Sequence, residues 1–444
     1  MRSTTGVWWG AEVNDDATPA LATATSSDER RRWRDDVRML RDHDLGLVVV
    51  SRLVSDFGNG VAPIALAFGV LALPGGDASS LGLVLLCAAL PRIVFMLFGG
   101  VLADRVRRRA RLMAVSELAA AVAQGVAAAL FLSGHATVPS LAALAVINGL
   151  AVAVFYPSMT GLLPQLASGA ALQSANALVR LSSNLAGILG IAVGGLLVAT
   201  VGAGWALLID ALSYAFSALL LWLVRAASTP MQDGQTSSVI DDLVHGWREF
   251  TARRWVWLLV VLFSISNFGF TAAIGVLGPV RSLESWDGAR GWAVVLVAFS
   301  VGTVVGVVVA MRIRPSRPLL VAATAELFVA FPVLALAPPL PLAVVAVLAF
   351  VSGMCVDVFE VLWQTTVQQQ IPAESLSRVA SYDWFGSLAL TPLALAIAGG
   401  LEAWLGLEAA LWICGILGAL SSLAILDPSV RGVRAAPEAV PPTT

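Results

Sequence analysis

Long apolar stretches separated by mostly short polar connections dominate the chain. A helix needs about 20 mainly apolar residues to cross the hydrocarbon core of a bilayer, and twelve stretches have that length. One long connection, 225–254, separates the sixth stretch from the seventh. The pattern therefore predicts an all-α membrane protein with twelve transmembrane helices in two six-helix halves. The predicted spans are 45–72, 80–103, 112–133, 138–160, 174–200, 204–224, 255–280, 291–311, 318–337, 341–365, 377–401 and 407–426.

The polar segments set the predicted domain boundaries. Residues 1–44 have no apolar run after a short basic start, so they are not a cleaved signal peptide, and their composition predicts a disordered cytoplasmic tail. The halves are 45–224 and 255–426, the linker is 225–254 and the second tail is 427–444. Within the linker, apolar residues recur at helical spacing in "SVIDDLVHGWREF", which favours an amphipathic helix on the membrane surface over a plain linker with some helicity.

Composition supports a chain solvated by lipid. The 444 residues are 58% hydrophobic and 13% charged, with a mean hydropathy of +0.84, whereas soluble proteins carry about 25% charged residues. The net charge of −2 gives no basic balance that would indicate nucleic-acid binding. The three cysteines and three histidines are scattered, which argues against a disulfide framework and against a metal site.

Arginine placement predicts the orientation in the membrane. If the N-terminus is inside, the inner segments hold 21 of the 27 arginines, and the outer loops hold only Arg281 and Arg290. Cytoplasmic loops carry the excess of positive charge in membrane proteins. We therefore expect a multi-pass protein of the plasma membrane with both termini in the cytoplasm.

The two halves resemble each other in sequence. "NGLAVAVFYPSMTGLLPQL" from Asn148 aligns without gaps with "SGMCVDVFEVLWQTTVQQQ" from Ser352, so that Gly149 meets Gly353 and Phe155 meets Phe359. "SDFG" at 55–58 matches "SNFG" at 266–269. These matches occur in the same order in both halves, which predicts a duplicated, pseudo-symmetric transporter with its substrate path between the halves.

The loop after the second span places the chain near a known family. The segment "GVLADRVRRR", 100–109, with twelve spans and a central loop, resembles the major facilitator superfamily and its pattern G-x-x-x-D-R-x-G-R-R. Arg107 replaces a glycine of that pattern. "FYPSMTGLLPQL" and "LIDALSYAFSALLL" look more like the bacterial branch of enterobactin exporters and macrolide-efflux proteins. The resemblance covers about 45–430 and implies the major facilitator fold, with a gating loop of Gly100, Asp104, Arg105, Arg108 and Arg109.

The fifth span carries small residues that allow close helix packing. Exporters of the superfamily often have G-P-x-x-G-G there, but this chain has "GIAVGG" with Ile191 at the proline position. The resemblance therefore gives weaker support for antiport than a complete motif would. The glycines that favour helix packing are Gly187, Gly190, Gly194 and Gly195.

Ionisable residues inside the spans are the candidates for coupling to protons. Each costs at least about 2.5–3.5 kcal/mol to insert, so such residues tend to face a cavity and to have a function. Asp56 lies near the middle of the first span and can load and release a proton, or can be a structural partner of Arg92 or Arg180. Asp357 and Glu360 share a helical face at i, i+3, although Glu360 could instead reach the headgroups.

Several polar and aromatic residues in the spans are candidates for a substrate cavity. Arg180 can bind an anionic group, pair with an acid or extend to the interface. The aromatic side chains have helix packing as an alternative role, and the sequence identifies no partner for Asp210, Glu117 or Glu326. The substrate-cavity candidates are Arg92, Arg180, Asn267, Gln364, Phe155 and Tyr156.

These features predict a proton-coupled exporter of a small amphipathic molecule, such as a drug, siderophore or secondary metabolite. Partners would be the lipid bilayer, the substrate and protons, with no cofactor, and the chain would act as a monomer. An uptake permease or lipid translocator on the same fold is the alternative, because sequence does not give direction. A membrane enzyme is disfavoured because no H-E-x-x-H or nucleotide-binding loop is present, and a non-transporting scaffold would gain nothing from buried acids.

Asp104 gives the first testable prediction. It can pair with arginines or cap a helix N-terminus when the inner mouth is closed. We expect Asp104→Asn to impair transport while leaving membrane insertion intact, as measured by uptake assays and by the yield of inserted protein. Normal transport by this variant would leave the loop with an anchoring role only.

Overall fold

The computed structural model describes residues 43–105, 108–167, 170–225, 247–371 and 373–434. It describes the side chains of these residues as well, except in several segments that include 96–107 and 372–378. Within these residues, twelve helices are long and apolar enough to cross a membrane. The prediction of twelve transmembrane helices is thereby confirmed. The first predicted tail lies outside the described residues except for His43 and Asp44, whereas the second is described from Asp427 to Arg434. The linker lies outside them from 226 to 246.

The first half consists of six helices whose bounds differ from the predicted ones by a few residues. The largest difference is at the end of the fourth helix, which continues beyond the predicted end at 160 to Leu166, through Pro164 and Gln165. Hydropathy alone therefore ended this span too early. The helices are α1 His43–Leu71, α2 Ala78–Arg105, α3 Arg109–Leu132, α4 Val138–Leu166, α5 Ala170–Val201 and α6 Ala203–Leu223.

The second half repeats this arrangement, with local breaks in two helices. The seventh span, α7, runs from Arg254–Ala272 through a π turn at Ala273–Leu277 into Gly278–Ser285. The eleventh, α11, has two segments, Ala373–Leu388 and Thr391–Leu405. The others are α8 Ala289–Arg312, α9 Pro318–Leu336, α10 Leu342–Gln370 and α12 Leu407–Leu420. Helix α12 continues into a 3₁₀ turn at Ser421–Leu426, and the short helix α13 Pro428–Gly432 follows.

Both breaks lie next to prolines. Pro392 follows the gap in α11, and Pro279 follows the π turn of α7. Proline lacks the amide N–H that a helix requires and its ring clashes with the carbonyl four residues earlier. A π turn or a short gap relieves that clash, so the sequence explains both irregularities.

Helix packing in the two halves is pseudo-symmetric. In the first half, α1 packs on α5 and α6, α2 packs on α4, and α3 packs on α4 and α6. The second half has the equivalent pairs, with α7 on α11 and α12, α8 on α10, and α9 on α10 and α12. The matched glycines Gly149 and Gly353 both fit against a backbone carbonyl, that of Ala88 on α2 and that of Phe299 on α8.

The halves meet through two equivalent helix pairs, α2 with α11 and α5 with α8. A Cβ atom at Gly195 of α5 would lie 2.2 Å from the Cβ of Ala293, and one at Gly399 of α11 would lie 2.2 Å from the amide nitrogen of Ser79. Both crossings lie at the start of α2 or α8, where α1 and α7 end. We call this end of the bundle, defined by Gly195, Gly399, Ser79 and Ala293, the closed end.

An aspartate joins the first and last helices of each half at the opposite end. Asp44 in the first turn of α1 accepts a hydrogen bond from the amide of Arg225, which follows α6, at 3.0 Å. Arg254 at the start of α7 donates to Asp427, which follows α12, at 2.9 Å. The hydroxyl and amide of Ser429 also donate to Asp427 and lower the pKa of its carboxyl group below the usual value.

The described end of the linker packs against α11. Residues 247–252 are helical, and Trp247, Phe250 and Tyr382 form a group of rings with centroids 5.5–5.8 Å apart. Phe250 is buried, whereas Trp247 is half exposed. The predicted amphipathic helix is thus described only in its last turn, and its placement on the membrane surface stays a prediction.

The glycines of α5 give a second testable prediction. A Cβ atom at Gly190 would lie 2.1 Å from the carbonyl oxygen of Phe57, whereas one at Gly187 would have no atom within 4 Å. We expect Gly190→Ala to destabilise the protein by about 1–3 kcal/mol, because α1 and α5 must separate. Gly187→Ala, the matched control, should be neutral or stabilising because alanine favours helix.

Thermal unfolding in detergent measures both variants. A melting temperature of Gly190→Ala equal to that of Gly187→Ala would contradict the close contact between α1 and α5.

Candidate functional site

Two mainly apolar cavities with several charged and polar side chains, one in each half, hold most of the candidate residues. The first has a volume of about 360 Å³ and is lined by α1, α2, α3, α4 and α6. The second has a volume of about 260 Å³ and is lined by α7 to α11. Asp56, Arg92, Phe155 and Tyr156 line the first cavity, and Asn267, Glu360 and Gln364 line the second.

A buried ion pair lines the first cavity. Arg52 donates to Asp56 at 2.5 Å across one turn of α1, and the two residues are 6% and 7% exposed. Asn59 also donates to Asp56, at 3.3 Å, and accepts a hydrogen bond from the hydroxyl of Tyr214 at 2.5 Å. Asp56 is therefore held by the helix that carries it, and its cation is Arg52 and not the predicted partner Arg92 or Arg180.

Aromatic rings of α4 cover the cation of this pair. The guanidinium carbon of Arg52 lies 5.0 Å from the ring centroid of Phe155 and 5.6 Å from that of Tyr156. A guanidinium over a ring face is attracted by the ring quadrupole. Both aromatic candidates in the first half therefore contact the ion pair, with Phe155 buried and Tyr156 half exposed.

Two acids that had no partner in the sequence analysis have one in the structure. The hydroxyl of Ser55 on α1 lies 3.0 and 3.2 Å from the carboxylate oxygens of Glu117 on α3. Gln124 on α3 donates to Asp210 on α6 at 2.7 Å. Glu117 is 3% exposed and Asp210 is fully buried, so these bonds join helices deep in the bundle.

The second half contains the equivalent serine–glutamate bond. Ser266 on α7 donates to Glu326 on α9 at 2.7 Å. Ser55 and Ser266 are the first residues of the matching "SDFG" and "SNFG" segments, and the bonded residues are 62 and 60 positions apart. The repeated segment was a signal for this pair, but a single sequence did not show which acids the serines would meet.

The acids of the second cavity have neutral partners. Gln364 donates to Glu360 at 3.0 Å on the same helix. The indole N–H of Trp363 donates to Asp383 at 2.8 Å, and the hydroxyl of Ser387 donates to it at 3.4 Å. Asp383 lies in α11 and is 7% exposed. Hydropathy gives no signal for Asp383, because it lies among polar residues at the start of the span.

Of the remaining candidates in the second half, Asn267 faces the cavity and Asp357 faces the neighbouring helix α8. Asn267 lines the cavity and donates to the backbone oxygen of Ser387 at 3.0 Å. Asp357 is not among the residues that line the cavity; it lies beside Thr303 of α8. The structure therefore directs Glu360 and Gln364 into the cavity and Asp357 towards the neighbouring helix.

The arginine candidates lie in different surroundings. Arg92 lines the first cavity and is exposed on one side, whereas Arg180 is exposed on α5 and is not among the lining residues of either cavity. In the gating loop, Arg108 is exposed and Arg111 lies over the ring of Trp222 at 5.4 Å. The side chains of Gly100, Asp104 and Arg105 lie outside the described residues, so their gating role stays a prediction.

No group of three or more metal-ligating residues occurs in the described parts of the chain. The three cysteines there, Cys87, Cys355 and Cys414, are unpaired thiols. The chemistry that the cavities present consists of carboxylates, arginines, amides and aromatic rings. Such groups bind and release ligands and protons.

Comparison with known proteins identifies the family. A sequence model of the Major Facilitator Superfamily matches residues 48–388. The multidrug efflux pump Tap of Mycolicibacterium fortuitum is 30% identical over 384 residues, which are 82% of this chain and 90% of that protein. Tap of Mycobacterium tuberculosis is 28% identical over 410 residues, which are 88% of this chain and 95% of that protein.

Solved structures share the fold at low sequence identity. The nucleoside transporter NupG has a TM-score of 0.69 and 13% identity, over 87% of this chain and 98% of its own. A POT family transporter in complex with a thioalcohol-conjugated peptide has a TM-score of 0.64 and 14% identity, over 86% and 95%. The family model and the 30% identity to Tap show that the chain belongs to the major facilitator superfamily. It is a multi-pass membrane transporter of a small molecule and not an enzyme.

The repeated serine–glutamate bonds give a third testable prediction. In double-mutant cycles of Ser266→Ala with Glu326→Leu, and of Ser55→Ala with Glu117→Leu, we expect coupling energies of about 0.6 kcal/mol, the average for hydrogen bonds between membrane helices, and no more than about 1.7 kcal/mol. The free energies come from unfolding in mixed detergent micelles.

A cycle of Ser300→Ala with Glu326→Leu is the control. The hydroxyl of Ser300 donates to the backbone oxygen of Leu296, so its coupling to Glu326 should be close to zero. Coupling in neither serine–glutamate cycle would show that these bonds do not hold the helices together.

Proposed function

We propose that this chain is a proton-coupled exporter of small amphipathic molecules that works by alternating access. The observation that carries the proposal is the buried Arg52–Asp56 pair in the first cavity. Protonation of Asp56 would remove its charge and release Arg52, and loss of the proton would restore the pair. A proton could thereby change the interactions of α1 with its neighbours.

The contacts between the halves support a rocking motion. The close crossings at Gly195 and Gly399 are equivalent positions at the closed end, so both can separate together when the halves rotate. With both termini in the cytoplasm, as the arginines predict, the closed end faces outward. The structure then corresponds to the state that loads substrate from the cytoplasm.

Export is supported by the relatives rather than by geometry. Two similar proteins of the superfamily are named multidrug efflux pumps. We infer that this chain moves its substrate out of the cell and that protons move inward. The substrate would be a drug, siderophore or secondary metabolite, handled by one chain acting as a monomer, with its six-helix halves 45–224 and 255–426 joined by the cytoplasmic linker.

Transport in proteoliposomes under an imposed pH gradient gives the fourth testable prediction. The substrates are fluorescent amphipathic compounds of positive, neutral and negative charge. We expect the wild-type chain to accumulate at least one of them in response to the gradient. Asp56→Asn should lower this accumulation to nearly the level of empty liposomes, because an amide does not ionise at these pH values and so cannot carry a proton as a carboxyl group does.

Two further variants control this experiment. Asp56→Asn leaves the charge of Arg52 buried without its carboxylate partner. The double variant Arg52→Leu with Asp56→Asn removes both charges, and so tests the coupling of transport to protons without an unpaired buried charge. Asp77→Asn makes the same change at an exposed cap of α2, where asparagine also caps well, and should transport normally. Equal transport by wild type and Asp56→Asn, with no response of either to the gradient, would overturn the proposal.

A further inference from the structure

The two cavities lie at equivalent places in the two halves but differ in charge: the first balances acids with arginines, and the second contains acids alone among its described charged residues. Arg52 and Arg92 line the first, together with Asp56 and Glu117. Glu326, Glu360 and Asp383 line the second, and no arginine or histidine is among its described lining residues. The chain has no lysine. The second cavity therefore gathers carboxyl groups without supplying a cation from its own described walls.

The equivalent positions show how this difference arises. Three residues before the serine of each repeated segment stands Arg52 in the first half and Phe263 in the second. Phe155 and Tyr156, which cover Arg52, correspond to Phe359 and Glu360. In the first half the chain thus places its own cation over two rings. In the second half, Phe263 stands at the position of the cation Arg52. Glu360 stands at the position of Tyr156, one of the two rings that cover Arg52.

Aromatic side chains form much of the wall of the second cavity. Phe263 meets Phe359 with ring centroids 4.3 Å apart and Trp363 with centroids 5.7 Å apart, both edge to face. Phe270, Phe299 and the half-exposed Trp384 complete the set. Ring faces attract cations, most strongly when the cation has lost its water.

The carboxyl groups lie beside these rings. The indole of Trp363 donates to Asp383, and Glu360 is one turn from Trp363 on the same helix. An organic cation between the rings would meet both the negative ring faces and the charge of Glu360 and Asp383. An anion of the same shape would be repelled by the same groups.

We propose that the second cavity binds the positively charged end of a lipophilic organic cation, with Glu360 and Asp383 as its counter-charges and Phe263, Phe359 and Trp384 as its apolar walls. This proposal rests on the proposed function, because it assigns the substrate class of the same transporter. The pseudo-symmetric site in the first half is already filled by Arg52 and does not need a ligand cation.

Equilibrium binding of two probes of the same shape tests this proposal. Tetraphenylphosphonium and tetraphenylborate are nearly identical in size and apolar surface and have opposite charge. We expect purified protein in detergent, with no pH gradient, to bind the phosphonium at least about tenfold more tightly than the borate, a difference of about 1.4 kcal/mol. Isothermal titration calorimetry measures both affinities, with detergent alone subtracted.

Isosteric variants assign the selectivity to the cavity. Glu360→Gln and Asp383→Asn should each weaken phosphonium binding several-fold and reduce the preference over borate, whereas Glu360→Asp, which keeps the charge, should retain most of it. Glu408→Gln makes the same neutralising change at an exposed position in the first turn of α12 and should bind as wild type does. Melting temperatures without ligand identify any variant that is misfolded.

Equal affinity for the two probes, or unchanged selectivity in folded Glu360→Gln and Asp383→Asn, would overturn the cation site. Because binding is measured without a gradient, a failure of proton coupling does not affect it. Conversely, gradient-driven transport of neutral compounds only would support the proposed function and contradict the cation site.

Discussion

A membrane interior offers no water to hydrogen-bond with buried polar groups, and this constraint governs where the acids of this chain lie. A carboxyl group deep in the bundle has to find its partner on its own or a neighbouring helix. Glu117 and Glu326 find it in a serine of α1 or α7. Each bond joins the first and third helices of its half, so the same interaction that satisfies the acid also fixes the packing around a cavity.

The same constraint separates the rigid parts of the molecule from the movable ones. Within a half, helices are joined by buried hydrogen bonds and by glycine contacts such as Gly190 against Phe57. Between halves, the crossings at Gly195 and Gly399 are contacts with small groups of α8 and α2. Van der Waals contacts between small residues are formed and broken without stranding a polar group in lipid. The halves can therefore move as units while each keeps its internal bonds.

The sequence predicted the parts of this structure that depend on periodicity and composition. Twelve spans, their division into halves and the repeat follow from hydropathy and from matched segments. The partner of Asp56 was readable from the i, i+4 spacing of Arg52 on one helix, but arginines of other helices were considered instead. The Ser–Glu bonds connect residues about 60 positions apart. Such pairs depend on how helices are rotated in the bundle, which hydropathy does not specify.

Duplication also explains how one scaffold acquires two kinds of cavity. The backbone contacts that repeat between halves involve glycines and serines, such as Gly149 and Gly353 or Ser55 and Ser266, whereas the side chains that differ point into the cavities. A change from Arg52 to Phe263 at an equivalent position alters the charge of the site without disturbing the helix contacts around it. Because the structural positions are kept, each cavity can change its chemistry separately. The first half accordingly holds an internal ion pair, and the second has an acidic and aromatic cavity at the equivalent place.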